Sequence, residues 1–137
     1  MKIALDTNIL IYFLEGIEPQ ASKVEQILSR FMKGQDEGII STIAIAEVLT
    51  GFYIAGDIQK ATQVKKLLND LTLNNFKIVP VTFEVADSAA SLRAKRGVRL
   101  PDSLIVGTAI NQQADHIYSQ DKDLQRFNKD IHICQLP

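Results

Sequence analysis

Apolar and polar positions along this 137-residue chain follow two alternating rhythms. Short apolar runs of strand length cover residues 2–5, 38–41, 77–81, 116–119 and 131–136. Between them the apolar residues recur at the helical period. Ala21, Val24, Ile27, Leu28 and Phe31 form one such stripe, and Ile58, Ala61, Val64, Leu67, Leu68 and Leu71 form another. Asp57 stands where the second stripe needs an N-cap, and Thr82 can cap a third helix that runs through Ala86, Ala89, Ala90 and Leu92 to Gly97. Pro101 opens a fourth helix in which Leu104, Ile105, Val106, Ala109 and Ile110 are apolar nearly all round, the pattern of a buried helix. Short strands alternating with helices of ten or more residues predict an α/β fold: a central parallel sheet flanked by helices on both faces. Such sheets carry their sites at the carboxyl ends of the strands, where strands one and four can adjoin across a topological switch point.

Composition adds bounds. The length suits one domain over residues 1–137. With 46% hydrophobic and 23% charged residues, the chain reads as an ordinary globular protein. A net charge of −1 excludes a global basic field of the kind that binds nucleic acid by charge alone, but leaves room for a local basic patch. The single cysteine, Cys134, cannot form an internal disulfide and points to a reducing compartment, and with no spanning segment or leader pattern the expectation is cytoplasmic. His116 and His132 lack zinc-type spacing and a cysteine partner in sequence, so they read as strand-edge residues.

The acids change the picture most. Asp6 follows the first strand and Asp121 the fourth, Asp102 lies in the first turn of the buried helix, and Glu47 is the only charge between Gly38 and Gly56. Each has an ordinary explanation: a cap for Asp6, the helix dipole for Asp102, a solvated turn for Asp121 with Asp123, an exposed helix position for Glu47. Together, at strand ends and helix starts of one sheet, they predict a single crevice. Like charges gathered there cannot all stay ionised without a counter-charge; no basic residue adjoins Asp6 or Glu47, and Lys122 alone adjoins Asp121. A hard divalent cation such as Mg²⁺ meets the need with oxygen ligands. Arg93, Lys95, Arg96 and Arg99 precede Asp102 and read either as a solvated helix end or as a phosphate clamp at the lip of the crevice. Carboxylates, a cation and flanking arginines suit hydrolysis of a phosphodiester.

Four stretches, "ALDTNILIYFLEG", "ISTIAIAEVLTG", "GVRLPDSLIVGTA" and "IYSQDKDLQRF", occur in an order that resembles PIN-domain ribonucleases, most closely the VapC-type toxins of toxin–antitoxin pairs. The resemblance spans essentially the whole chain. It implies a three-layer α/β/α PIN fold and Mg²⁺-dependent cleavage of RNA, with Mn²⁺ as a substitute. By position it matches Asp6, Glu47, Asp102 and Asp121 to the metal-binding acids, Asn8 and Ser119 to the polar residues that orient them, and Asp123 to a reserve acid in the same loop. Ser119 stands where threonine is commoner, which keeps the hydroxyl. The basic lip of Arg93, Arg96 and Arg99 becomes an RNA-phosphate contact. The resemblance also implies a cognate antitoxin, a homodimer and no membrane. The apolar stretch around Phe52, Tyr53 and Ile54, with the helix from Ala21 to Phe31, is the surface expected to hold a partner helix.

Two other classes compete. A receiver-type signalling domain needs a phosphoacceptor Asp after the third strand, where this chain reads "KIVPVT". A catalytically silent binding module of the same fold has no need of all four acids.

Overall fold

The computed structural model describes residues 1–137. The chain runs β1 (Lys2–Leu5), α1 (Thr7–Glu15), α2 (Gln20–Met32), β2 (Glu37–Ser41), α3 (Thr42–Ile54), α4 (Ile58–Leu71), β3 (Phe76–Val79), α5 (Phe83–Arg96), α6 (Leu100–Asn111), β4 (His116–Tyr118), a 3₁₀ turn (Lys122–Phe127) and β5 (His132–Cys134). The five strands form one sheet in the order β3-β2-β1-β4-β5, and every pair is parallel. The order reverses between β1 and β4, so their carboxyl ends flank the switch point.

Strand alternation divides the interior into two layers. Ile3, Leu5 and Ile40 face a core shared with Leu10, Val24, Phe31, Val48, Val64 and Leu68 from α1 to α4. Ala4, Ile39, Ile117 and Ile133 face the opposite way, onto Leu92, Val106, Ala109, Leu124 and Phe127. The helices on both faces satisfy the nearly continuous apolar strands. Two glycines make the layers fit. A Cβ on Gly38 would lie 2.5 Å from the Phe76 ring and 2.7 Å from that of Phe31, and these rings pack with centroids 5.7 Å apart. A Cβ on Gly107 would lie 3.2 Å from the Ala89 backbone nitrogen, so α5 and α6 meet at close backbone range.

Helix ends follow the capping chemistry that the sequence foretells. Asp57 accepts from the Lys60 amide and Thr82 from that of Val85, while Gly97 closes α5 in the left-handed region at φ 63°. Three predicted strands shorten, β4 by a single residue to end at Tyr118. β3 stops at Val79 because Pro80 has no N–H to continue a ladder. β5 stops at Cys134, since the Leu136 amide turns to the Gln120 Oε1 at 2.8 Å and the Leu136 side chain enters the first core. Phe52 is a correction of another kind: it is 6% exposed and fills the core, leaving only Tyr53 and Ile54 of that trio on the surface. No helix is long and apolar enough to cross a membrane.

Candidate active site

β1 delivers Asp6 to the switch point. Its amide donates to the Tyr118 carbonyl at 3.1 Å, which sets Asp6 level with Ser119 at the end of β4. The carboxylate then serves two purposes. Oδ1 accepts the Thr7 amide at 2.7 Å and caps α1, while Oδ2 accepts the Ser119 hydroxyl at 2.6 Å. Asp6 is 4% exposed and Ser119 fully buried. The same Ser119 Oγ accepts the Asp121 amide at 3.0 Å, and Asp121 in turn caps the 3₁₀ turn by accepting the Asp123 amide at 2.9 Å. One hydroxyl thus ties the end of β1 to the loop carrying two further acids. Asn8 supports that loop from α1, its Oδ1 accepting the Gln120 amide at 3.4 Å.

Glu47 reaches the crevice from the second turn of α3 rather than from its first. It is half-buried, and Thr7 Oγ1 donates to its Oε1 at 2.9 Å. Sequence reasoning left Glu47 without a partner because Thr7 lies 40 residues away. Asp102, in the first turn of α6, is 3% exposed and receives Nε and Nη2 of Arg99 at 3.3 Å each. Asp102, Asp121 and Asp123 each present one carboxylate oxygen such that all three lie within 4.8 Å of one another. The reserve acid Asp123 is therefore part of the tightest cluster.

The electrostatics register this crowding. Burial pushes the Asp6 carboxyl from 3.8 up to about 6; hydrogen bonds from Ser119 and Thr7 oppose the rise, and Asp102 and Asp121 add to it. Arg99 is held above its ordinary value, first by its hydrogen bond to Asp102 and then by the charges of Asp102, Glu47 and Asp121. The donor set consists of carboxylate oxygens from α6 and the 3₁₀ turn, with no sulfur or imidazole among them, and that chemistry fits a hard divalent cation.

The three arginines of the expected lip do not form one patch. Arg96 makes a fork with Asp130, Nε and Nη2 each at 3.0 Å, and Arg93 Nε donates to the Val98 carbonyl at 3.2 Å. Arg99 alone turns to the acids. A basic residue that sequence reasoning missed joins it: Arg126 of the 3₁₀ turn lines a pocket of about 100 Å³ with Arg99, Asp102, Asp123, Gly97 and Val98. Its one sequence signal is its place in the same short run as Asp121 and Asp123.

Similar architectures have been solved. A toxin–antitoxin complex from Klebsiella pneumoniae is 22% identical, with a TM-score of 0.71 over 96% of this chain and 95% of that one. VapBC2 from Rickettsia felis, bound to a DNA fragment from its promoter, is 18% identical with a TM-score of 0.76 over the whole of both chains. The Mycobacterium tuberculosis toxin VapC20, which cleaves the sarcin–ricin loop, is 12% identical with a TM-score of 0.70 over 90% and 92%. Among curated proteins, none matches the chain. The family model for the PIN domain matches residues 3–130, and with the parallel sheet and its acidic switch point the chain belongs to the PIN domain family.

Proposed function

We propose that this protein is a Mg²⁺-dependent endoribonuclease and the toxin of a toxin–antitoxin pair, working as a single PIN domain. The observation that carries the reading is the convergence of Asp102, Asp121 and Asp123 within 4.8 Å, beside a buried Asp6 whose carboxyl sits near 6. A hydrolase for a dianionic or monoanionic phosphate ester needs such a site, whereas a silent binding module gains nothing from acids that repel one another.

In this reading Asp6, Glu47, Asp102 and Asp121, with Asp123 beside them, hold the cation. When bound, Mg²⁺ or Mn²⁺ supplies Lewis acidity at the scissile phosphate and lowers the pKa of water. The chain supplies the positioning. Ser119 fixes the Asp6 carboxylate through its Oδ2, Thr7 fixes Glu47, and Asn8 holds the loop that carries Asp121. Arg99 and Arg126 stand at the lip, where a phosphodiester enters. Arg93 and Arg96 are engaged with Val98 and Asp130 and take no part in that contact.

A cytoplasmic ribonuclease needs restraint, and the solved relatives are described as toxin–antitoxin complexes. A groove of about 370 Å³ between α1, α2 and α4, with Phe13, Leu28, Met32, Leu67 and Leu71 among its lining, offers an apolar seat for an antitoxin helix. Homodimerisation belongs to the same proposal. The test is RNA cleavage by purified protein, with ends mapped by sequencing. Cleavage that requires Mg²⁺ or Mn²⁺, stops with EDTA and disappears in Asp102→Asn supports the reading; cleavage that persists with EDTA overturns it.

A further inference from the structure

Arg99 stands in a position that helix chemistry disfavours. It is the N-cap of α6, yet its side chain caps no amide, and its charge lies at the positive end of the helix dipole. What holds the guanidinium there is Asp102, three positions on. Nε donates to Oδ2 and Nη2 to Oδ1, so one residue takes both oxygens of this buried carboxylate. The charges of Glu47 and Asp121 reach Arg99 as well. The acid cluster thus has a cation of its own, supplied by the chain.

That cation is held loosely. Both contacts measure 3.3 Å, longer than the roughly 2.7–2.9 Å of a strong charge-assisted pair. The other forked arginine, Arg96, lies 3.0 Å from Asp130 through each nitrogen, and its side chain is 25% exposed. The Arg99 side chain is 64% exposed. It can swing into solvent without breaking any hydrogen bond except those to Asp102.

The same carboxylate has a second claimant. One oxygen of Asp102 belongs to the group in which oxygens of Asp102, Asp121 and Asp123 all lie within 4.8 Å of one another. Whichever oxygen that is, it already accepts from Arg99. A carboxylate oxygen bound to Mg²⁺ stands about 2.1 Å from the ion, which puts a double positive charge within roughly 5.5 Å of a guanidinium nitrogen. Two cations at that range repel, and Arg99 is the one free to leave.

We propose that Arg99 is a resident counter-cation of the acid cluster, leaving Asp102 when a divalent ion binds there and turning its freed fork to the RNA phosphate. The proposal rests on the metal-dependent reading above and adds a control to it. Competition from Arg99 lowers affinity for the ion alone. It also couples ion to substrate, because a phosphate that draws Arg99 off Asp102 removes the competitor.

The test is Mn²⁺ binding to the full-length chain at neutral pH without RNA, read from the electron paramagnetic resonance signal of the free ion. Arg99→Gln is expected to bind Mn²⁺ about ten-fold more tightly than wild type, a coupling of ordinary size, and Asp102→Asn to lose binding. Arg96→Gln removes an equal charge from the end of α5 and is expected to leave the affinity unchanged. Thermal unfolding gives a second readout. In EDTA the midpoint of Arg99→Gln should lie below that of wild type, and saturating Mn²⁺ should close the gap. Arg99 is exposed, so replacing it leaves the core intact. If Arg99→Gln binds Mn²⁺ no more tightly while Asp102→Asn loses it, the exchange is overturned and the metal site stands. Equal tightening in Arg96→Gln, or a midpoint gap that Mn²⁺ leaves unchanged, overturns the exchange in the same way. If neither wild type nor Arg99→Gln binds Mn²⁺, the metal-dependent reading fails and the exchange with it.

Discussion

Asp6 shows how much one carboxylate can do at a strand end. It caps α1, accepts the Ser119 hydroxyl and still faces Asp102 and Asp121. Its folded-state pKa near 6 lies above the ordinary 3.8, so between those values the native state keeps a proton that the unfolded chain has lost. Stability without metal therefore falls as pH rises through that window, by up to about 3 kcal/mol, and levels off above it. Asp6→Asn should flatten this slope in urea titrations across pH and stabilise the metal-free protein at pH 7, while abolishing cleavage. A cleavage rate equal to wild type would remove Asp6 from the metal site. Ser119→Ala tests the clamp. It should leave the fold intact, lower activity at least ten-fold and raise the metal concentration needed, since a ligand orienter typically contributes 10- to 100-fold.

At the scale of elements, the site depends on where each helix begins. Ser41 caps α3 by accepting the Ile43 amide at 3.2 Å, and α3 carries Glu47 inward one turn later. Ser41→Ala should cost about 1 kcal/mol, measured as a shift in the denaturant midpoint at unchanged slope. α6 presents Asp102 from its first turn and is seated on α5 by the close approach at Gly107. Gly38 plays the matching part between β2, Phe31 and Phe76; Gly38→Ala forces both rings to move and should cost roughly 1–3 kcal/mol. The elements themselves were largely legible, because long amphipathic stripes and caps are local signals. Strand ends were less so: the early stop of β5 depends on Gln120, a residue of another loop.

For the whole molecule, the proposed function asks which surface would take RNA and which an antitoxin. If Arg99 and Arg126 contact phosphate, replacing both with Gln should weaken RNA binding across sequences and reduce the slope of log affinity against log salt by up to about 2. An unchanged slope would return them to a purely intramolecular role. The partner groove makes a separable prediction. Met32→Glu, at a half-exposed position in the α1–α2–α4 groove, should abolish antitoxin binding in co-purification while RNA cleavage continues. Phe52→Ala should behave differently, losing roughly 3–5 kcal/mol of stability because Phe52 is in the core.

The sequence by itself determined the layered α/β architecture, the parallel sheet and the identity of most of the acids in the crevice. Those follow from periodicity, capping residues and short motifs, all of which act over a few neighbouring positions. Tertiary structure alone decided the pairings across distance. It gave Glu47 its Thr7, Asp6 its Ser119 and Arg96 its Asp130, and it brought Arg126 to the lip. It also set His116 opposite His132 by strand register, beside a cysteine that the sequence left unpaired. The physical reason is range. Hydrogen bonds, ion pairs and coordination act between side chains a few ångströms apart, and only the closed sheet and its packed helices state which residues those are.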